Sequence, residues 1–264
     1  YQFKIKNYNF DYNWGVKHQL ENINDQIREW VMIDSAGYSI SPINSDLNLY
    51  EFHKGNSSIT SNRLSSYMQI SNEFQINKSD FNWTLGARTN YWDFNNEWFL
   101  SPRMMFSIKP NWNKDFVFNL SCGSYNQSPF FKEYRNSEGL LNNNIKSQKS
   151  IHYVINSDYQ FQYLGRSFKF TSALYYKKLW DIIPFEIDNL RIIYLNENNA
   201  HGYSAGLDFK LFGEFVPNVD SWISLSLLTT REDIEGDGHG YIPRPTDRRL
   251  NASIFFQDYF PKNP

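Results

Sequence analysis

The nine residues Tyr203-Ser204-Ala205-Gly206-Leu207-Asp208-Phe209-Lys210-Leu211 alternate without a break, with Tyr, Ala, Leu, Phe and Leu on one side and Ser, Gly, Asp and Lys on the other. A period of two belongs to an extended strand, whose successive side chains point to opposite faces. One face must meet an apolar medium and the other water. The same division recurs upstream. Leu85, Ala87, Thr89 and Tyr91 oppose Gly86, Arg88, Asn90 and Trp92; Met68, Ile70, Phe74 and Ile76 oppose Gln69, Ser71, Glu73 and Gln75; and Tyr153, Ile155, Tyr159, Phe161 and Tyr163 oppose Asn156, Asp158, Gln160 and Gln162.

Carried along the chain, the pattern predicts about eleven antiparallel strands, over residues 1–11, 16–35, 62–76, 81–93, 98–109, 115–126, 148–163, 167–181, 200–212, 221–232 and 248–260. Many exceed the five or six residues usual in soluble sheets. Long links are expected at 36–61, 127–147, 182–199 and 233–247, all at one end of the strands. Links at 12–15, 77–80, 110–114 and 164–166 fall at the other end and are short; the tight link at Asn95-Asn96 is the exception on the long side. That asymmetry, with the strand length, points to an all-β transmembrane barrel rather than a soluble sandwich or propeller.

Composition agrees. Aromatic residues make up 18% of the 264 positions, yet mean hydropathy is −0.61, as expected when each strand shows rings to lipid and polar groups to a lumen. Net charge is −2, and no Lys/Arg block is long enough to form a nucleic-acid footprint. The single cysteine, Cys122, excludes an intramolecular disulfide and a Cys-rich zinc site, and reads as a packing residue. No apolar run is long enough for a membrane-spanning helix, which does not bear on strands. No sustained 3.6-residue period appears, so helices should be minor. The chain opens inside an alternating segment without a starting Met, from which a piece of a longer precursor is expected, one partial barrel domain over residues 1–264.

Several motifs, taken in order, carry a family resemblance. Leu85-Gly86-Ala87-Arg88-Thr89-Asn90-Tyr91-Trp92 followed by Ser101-Pro102-Arg103 resembles a pair of adjacent strands in TonB-dependent outer-membrane receptors. Gly123-Ser124-Tyr125-Asn126-Gln127-Ser128-Pro129-Phe130 resembles the approach to a long external loop of those receptors, and Gln148-Lys149-Ser150-Ile151-His152-Tyr153 the returning strand. Ala173-Leu174-Tyr175-Tyr176-Lys177 with Ile182 and Pro184, Asn199 to Asp208, and Pro243-Arg244-Pro245-Thr246-Asp247-Arg248-Arg249 resemble later strands, the last of them in the Bacteroidetes branch. The resemblance covers residues 62–264; residues 1–61 rest on alternation alone.

The resemblance implies a barrel of about 22 strands, blocked by a plug domain of the same parent chain and driven by the inner-membrane TonB complex. Its place would be the Gram-negative outer membrane, in contact with lipid and with a surface lipoprotein as a further candidate partner. Its cargo would be a glycan, a peptide or a metal chelate. This chain shows no plug-like region, no TonB box and no closing strand ending in an aromatic, and about eleven strands are half of the family's number. An open sheet would leave two unpaired edges, which lipid does not tolerate. The alternative is a soluble or surface β-rich module that binds carbohydrate through aromatic loops.

Catalytic constellations are absent from the sequence, so no enzyme, cofactor or metal site is expected. The five histidines have no metal-ligand spacing. Asp233-Ile234-Glu235-Gly236-Asp237-Gly238 alternates carboxylates as a calcium loop does, but the position of the closing Glu is Arg244, which favours a solvated loop. Arg88, Arg103, Asp158, Asp208 and Lys210 fall on the polar faces, where they would dock the plug or guide a ligand. Phe130, Phe131, Tyr134 and Arg135 form an aromatic loop that could grip a sugar or peptide; packing on the rim is the preferred reading. Trp83, Trp92, Trp98, Trp112, Trp180 and Trp222 lie near strand ends, and most are expected to anchor at a membrane interface.

Overall fold

A computed structural model describes residues 2–7, 10–33, 48–136, 139–188 and 191–259. Twelve strands join in one antiparallel sheet. They are β1 (Gln2–Asn7), β2 (Phe10–Ile33), β3 (Asn48–Ile76), β4 (Ser79–Trp92), β5 (Glu97–Lys109), β6 (Asp115–Gln127), β7 (Gln148–Tyr163), β8 (Arg166–Ile182), β11 (Ala200–Val216), β12 (Val219–Ile234), β13 (Ile242–Pro243) and β14 (Leu250–Phe255). A separate hairpin, β9 (Phe185–Asp188) with β10 (Arg191–Tyr194), stands between β8 and β11. From β1 to β12 each strand of the main sheet pairs with the next, and β13 and β14 both pair with β12. Among the described residues β1 does not pair with β13 or β14, so the sheet is open, and the helical content is one 3-10 turn at Phe131–Glu133.

Alternation assigns the two faces. The register row Phe106–Leu120–Ile155–Leu174–Leu207–Leu227 crosses six strands on one face, and these side chains stay in the open, Leu174 at 53% and Ile155 at 54% exposure. The opposite face carries Arg88, Arg103, Asn156, Asp158, Asp208 and Ser226. An apolar surface of this extent is far beyond what a water-soluble monomer leaves bare. Cys122 lies on the apolar face opposite Met104 and Tyr153.

The expected organisation changes in several places: the link expected at 182–199 contains the hairpin β9–β10, the strand expected at 248–260 is β14 over Leu250–Phe255, and two changes fall in β2 and β3. Residues 12–15 are expected as a short link; instead they lie inside β2, where Asp11, Asn13 and Gly15 take the polar face and alternate with Phe10, Tyr12 and Trp14. Residues 48–61 were expected to be loop, yet they extend β3 by pairing with the distal half of β2, from Ile33↔Asn48 through Asn22↔Thr60. Their Ser- and Asn-rich composition reflects a ribbon whose outer face is mostly polar, Lys54, Asn56, Ser58 and Thr60 standing opposite Arg28, Gln26, Asn24 and Asn22. Loop asymmetry stands. Residues 77–78, 110–114, 164–165 and 217–218 link strands at one end, whereas 34–47, 128–147, 183–199 and 235–249 do so at the other.

Two tryptophans depart from the anchor expectation. Trp83, Trp98 and Trp180 lie on the apolar face, but Trp92 and Trp222 have even positions on β4 and β12 and point to the polar face. Trp92 is 1% exposed and donates its indole N–H to Ser61 Oγ at 2.7 Å. Trp222 lies under the Lys210 ammonium, 4.8 Å from the ring centre.

Candidate functional site

On the polar face, strand pairing brings cations together across four strands. Arg88 on β4 stands opposite Tyr67 of β3 and Ser101 of β5, and Arg103 on β5 stands opposite Gly86 and Gly123. Lys17 of β2 and Arg63 of β3 complete the group, and all four line one pocket of about 240 Å³. Phe99, the buried Ser101 and Asn126 share its wall. Asn126 holds Ser101 Oγ through a 3.0 Å hydrogen bond from its amide. Arg63 lies 4.4 Å above the Trp92 ring and Arg103 4.4 Å above Tyr125. Gly123 makes the second contact possible: a Cβ there would sit 3.0 Å from Arg103 Cγ and 3.1 Å from Tyr125 Cε2.

Carboxylates near the pocket are already engaged. Glu21 is bound by Arg63 at 3.0 Å and by Gln19 at 2.8 Å. Glu97 accepts from Ser147 N and Oγ at 2.8 and 2.6 Å. Asp93 accepts from Asn62 at 2.8 and 2.9 Å; burial alone would raise its pKa, but these bonds hold it below the ordinary aspartate value. Among the described residues no carboxylate lines the pocket itself.

The five charged residues singled out in the sequence all take the polar face, but only Arg88 and Arg103 share a site. Asp158 is neutralised by Lys169 at 3.1 Å and accepts from Thr171 Oγ1 at 2.8 Å. Asp208 and Lys210 lie on β11, away from the pocket wall. Lys17 and Arg63 were not among the candidates, although both occupy polar-face positions of alternating strands. What the sequence lacks is the strand order and register that put them on the wall of the pocket that Arg88 lines.

The loop at 128–147 folds down on the same face. Tyr134 is 1% exposed and packs against Trp92, Phe94 and Phe131, with ring centres 5.0–5.6 Å apart. Ile59, Ile145 and Ile183 close the cluster. Burial pushes the Tyr134 hydroxyl up to about 12. Glu133 closes the 3-10 turn: its carboxylate accepts from Phe130 N at 2.6 Å and from Gln148 Nε2 at 2.9 Å. Burial raises the Glu133 pKa above the ordinary value in spite of these bonds. Arg135 pairs with Asp25. Of the aromatic loop's four candidates, Phe131, Tyr134 and Arg135 are thus engaged in packing or pairing, and Phe130 alone stands out, 62% exposed. Among the described residues no three His, Cys, Asp or Glu side chains gather as a metal cluster, the 233–238 segment included.

Fold and site define a two-faced antiparallel β chain, with a bare apolar face, a cationic pocket on the polar face and a folded loop above it. No known family profile matches the chain, and no curated protein matches it. Among solved structures it is similar to a chain in the structure of the RagAB peptide transporter, at 16% identity and a TM-score of 0.48. The match covers 89% of this chain and 29% of that one, so the present chain spans under a third of its structural neighbour.

Proposed function

We propose that this chain is part of the wall of an outer-membrane β-barrel of the TonB-dependent type, which imports a glycan, a peptide or a metal chelate. The observation that carries this reading is the apolar face bounded by two rows of rings. At the short-turn end Phe74–Phe81, Phe116–Tyr159, Tyr159–Phe161 and Phe161–Phe168 stack at 4.3–5.7 Å. Toward the long-loop end Tyr91–Trp98 and Tyr176–Tyr203 pair at 4.7 and 6.2 Å, and Trp180 lies beyond Tyr176 on β8. Phe168 and Trp180, both on the apolar face, are twelve residues apart. At roughly 3.3 Å per residue that is about 40 Å along the strand, or about 28 Å across a bilayer for a strand tilted by about 45°. Such a band, flanked by aromatic girdles, suits hydrocarbon with headgroups on either side.

On this reading the apolar face meets outer-membrane lipid, the polar face meets a plug domain of the same protein, and the TonB complex supplies the energy. A surface lipoprotein remains a candidate partner at the long-loop end. The soluble carbohydrate-binding module has no observation in its favour, since it would leave the apolar face in water. Fractionation of the full-length protein in its host tests the location: recovery with the outer membrane and a heat-sensitive electrophoretic mobility are expected. Recovery as a monodisperse protein in detergent-free buffer would end the proposal. Loss of ligand uptake on deleting the TonB complex tests the energy source.

A further inference from the structure

We infer that the pocket between β2 and β6 is a binding site for an oxyanion, a carboxylate or phosphate group held by Arg88 and Arg103 with Lys17 and Arg63 around it. The inference needs only the polar face, and does not depend on the transport reading.

Four cations face one cavity of about 240 Å³ with no carboxylate in its lining. Like charges gathered on a sheet repel, and although the register sets no two of these cations directly opposite each other, an anion placed among them would lower that repulsion. One of the four, Arg63, is already paired with Glu21, and the other nearby carboxylates are engaged outside the pocket, Glu97 by Ser147 and Asp93 by Asn62, so that among the described residues Lys17, Arg88 and Arg103 have no carboxylate partner. Among the described residues Arg88 and Lys17 make no ion pair and no side-chain hydrogen bond.

The donors have the form an oxyanion requires. Guanidinium groups offer paired N–H donors that match the two oxygens of a carboxylate or phosphate. Arg103 is held in place, lying on Tyr125 across Gly123. Arg63 is held likewise on Trp92. Asn90, Gln19 and Ser101 add neutral polar groups to the wall. Arg88 and Arg103 also border an adjoining hollow of about 310 Å³, so an anion held between them could carry a larger body into that space. Phe99 on one side and Met105 on the other give that body apolar surface.

The same chemistry could come from a free ligand or from an acidic side chain elsewhere in the protein, and two measurements separate them. The full-length protein, solubilised in detergent, is titrated calorimetrically with inorganic phosphate and with citrate. For a free ligand, at least one binds, and Arg88→Gln or Arg103→Gln weakens it by about tenfold or more, the loss expected for one charge-assisted hydrogen bond. Lys169→Gln, which removes a polar-face cation already paired with Asp158, should change it by less than about twofold. For an acidic side chain, neither probe binds, and Arg88→Gln lowers the thermal midpoint in low salt with a smaller loss in high salt. A bare cation cluster behaves in the opposite way, since Arg88→Gln relieves repulsion and leaves the midpoint unchanged or higher. That last result without anion binding, or binding indifferent to both Arg variants, overturns the inference. Heat-sensitive mobility of each variant checks that it has folded.

Discussion

Leu207→Arg sets the assignment of faces against a measurable cost. Leu207 lies directly opposite Leu174 and Leu227 on the apolar face, and Leu174 stands six residues from both Phe168 and Trp180. At roughly 3.3 Å per residue and a tilt of about 45°, either ring is about 14 Å away along the membrane normal. On the proposed reading, that would place Leu207 near the middle of a hydrocarbon layer about 30 Å thick. An arginine at the midplane of a barrel's lipid face costs about 2–4 kcal/mol, or roughly a thirty- to thousandfold fall in the ratio of assembled to unassembled protein. Ser226→Arg is the control. It lies on the next strand, on the polar face, directly opposite Asp208, where an opposite-charge pair contributes about 0.2–1 kcal/mol in favour of the fold. Heat-sensitive mobility of the outer-membrane fraction, followed through a urea titration, reads both variants of the full-length protein. Loss of the folded band is expected for Leu207→Arg, and for Phe209→Arg beside it, and retention for Ser226→Arg. Equal assembly of all three would show that the two faces do not see different media.

The loop above the pocket supplies further predictions. Gly139 has φ of +82°, and a Cβ there would sit 2.7 Å from Gly55 Cα; Gly139→Ala should therefore cost about 1–2 kcal/mol in backbone conformation besides the clash, seen as faster proteolysis within residues 128–147. Trp92→Phe leaves Ser61 Oγ, in a residue 1% exposed, without its indole donor, and a loss of about 1–3 kcal/mol is expected in chemical denaturation. Burial raises the Glu133 pKa in the folded loop above its ordinary value of 4.5. Its favourable contribution is thus complete below the unfolded pKa and is lost as pH rises through the folded one. Hydrogen-exchange protection of the Asn142 amide, which donates to Tyr134 O at 2.8 Å, should fall across that window after correction for intrinsic rates. Glu133→Gln should flatten the fall, and an unchanged slope would remove Glu133 from the explanation.

Period-two alternation made the central strands legible because a face that meets one medium admits only one class of side chain. It located β7 at residues 148–163 and the faces of β4, β7 and β11 from the sequence. It failed for the distal part of β3, expected as a link although the distal part of β2 that it pairs with lies inside the strand expected at 16–35; pairing, not patterning, makes Asn56 to Ser61 a strand. Trp92 falls outside the majority of tryptophans expected as anchors, because an aromatic near a strand end serves a membrane interface or a loop core equally well, and its place on the polar side of the alternation, with Arg88 and Asn90, is the clue. The pocket was half visible. Arg88 and Arg103 could be placed on a polar face, but Lys17 and Arg63 join them only through the strand order and register that put all four around one pocket.

The polar ribbon at the distal end of β2 and β3 gives the loop core its location. Beyond Leu20, Asn22, Asn24, Gln26 and Arg28 replace the apolar residues on the outer face, opposite Thr60, Ser58, Asn56 and Lys54. If the sheet is the barrel wall we propose, hydrocarbon ends near Leu20 and the ribbon projects into water. A ribbon wet on both sides has no core of its own, and two-stranded hairpins are at best marginally stable in water. Its inner face departs from that polarity at Ile27 and Ile59, 5% and 6% exposed. Ile59 belongs to the cluster formed by Trp92, Tyr134, Ile145 and Ile183. The 128–147 loop is tied to the ribbon again by Arg135 on Asp25 and by the close approach of Gly139 to Gly55. Ribbon and loop therefore stabilise each other, and neither should order without its partner. Tyr134→Ala, a truncation of a buried ring costing about 3–5 kcal/mol, should accordingly raise hydrogen exchange in residues 52–60 as well as in the loop. A loss of protection confined to the loop would mean that the ribbon is held by its own hydrogen bonds alone.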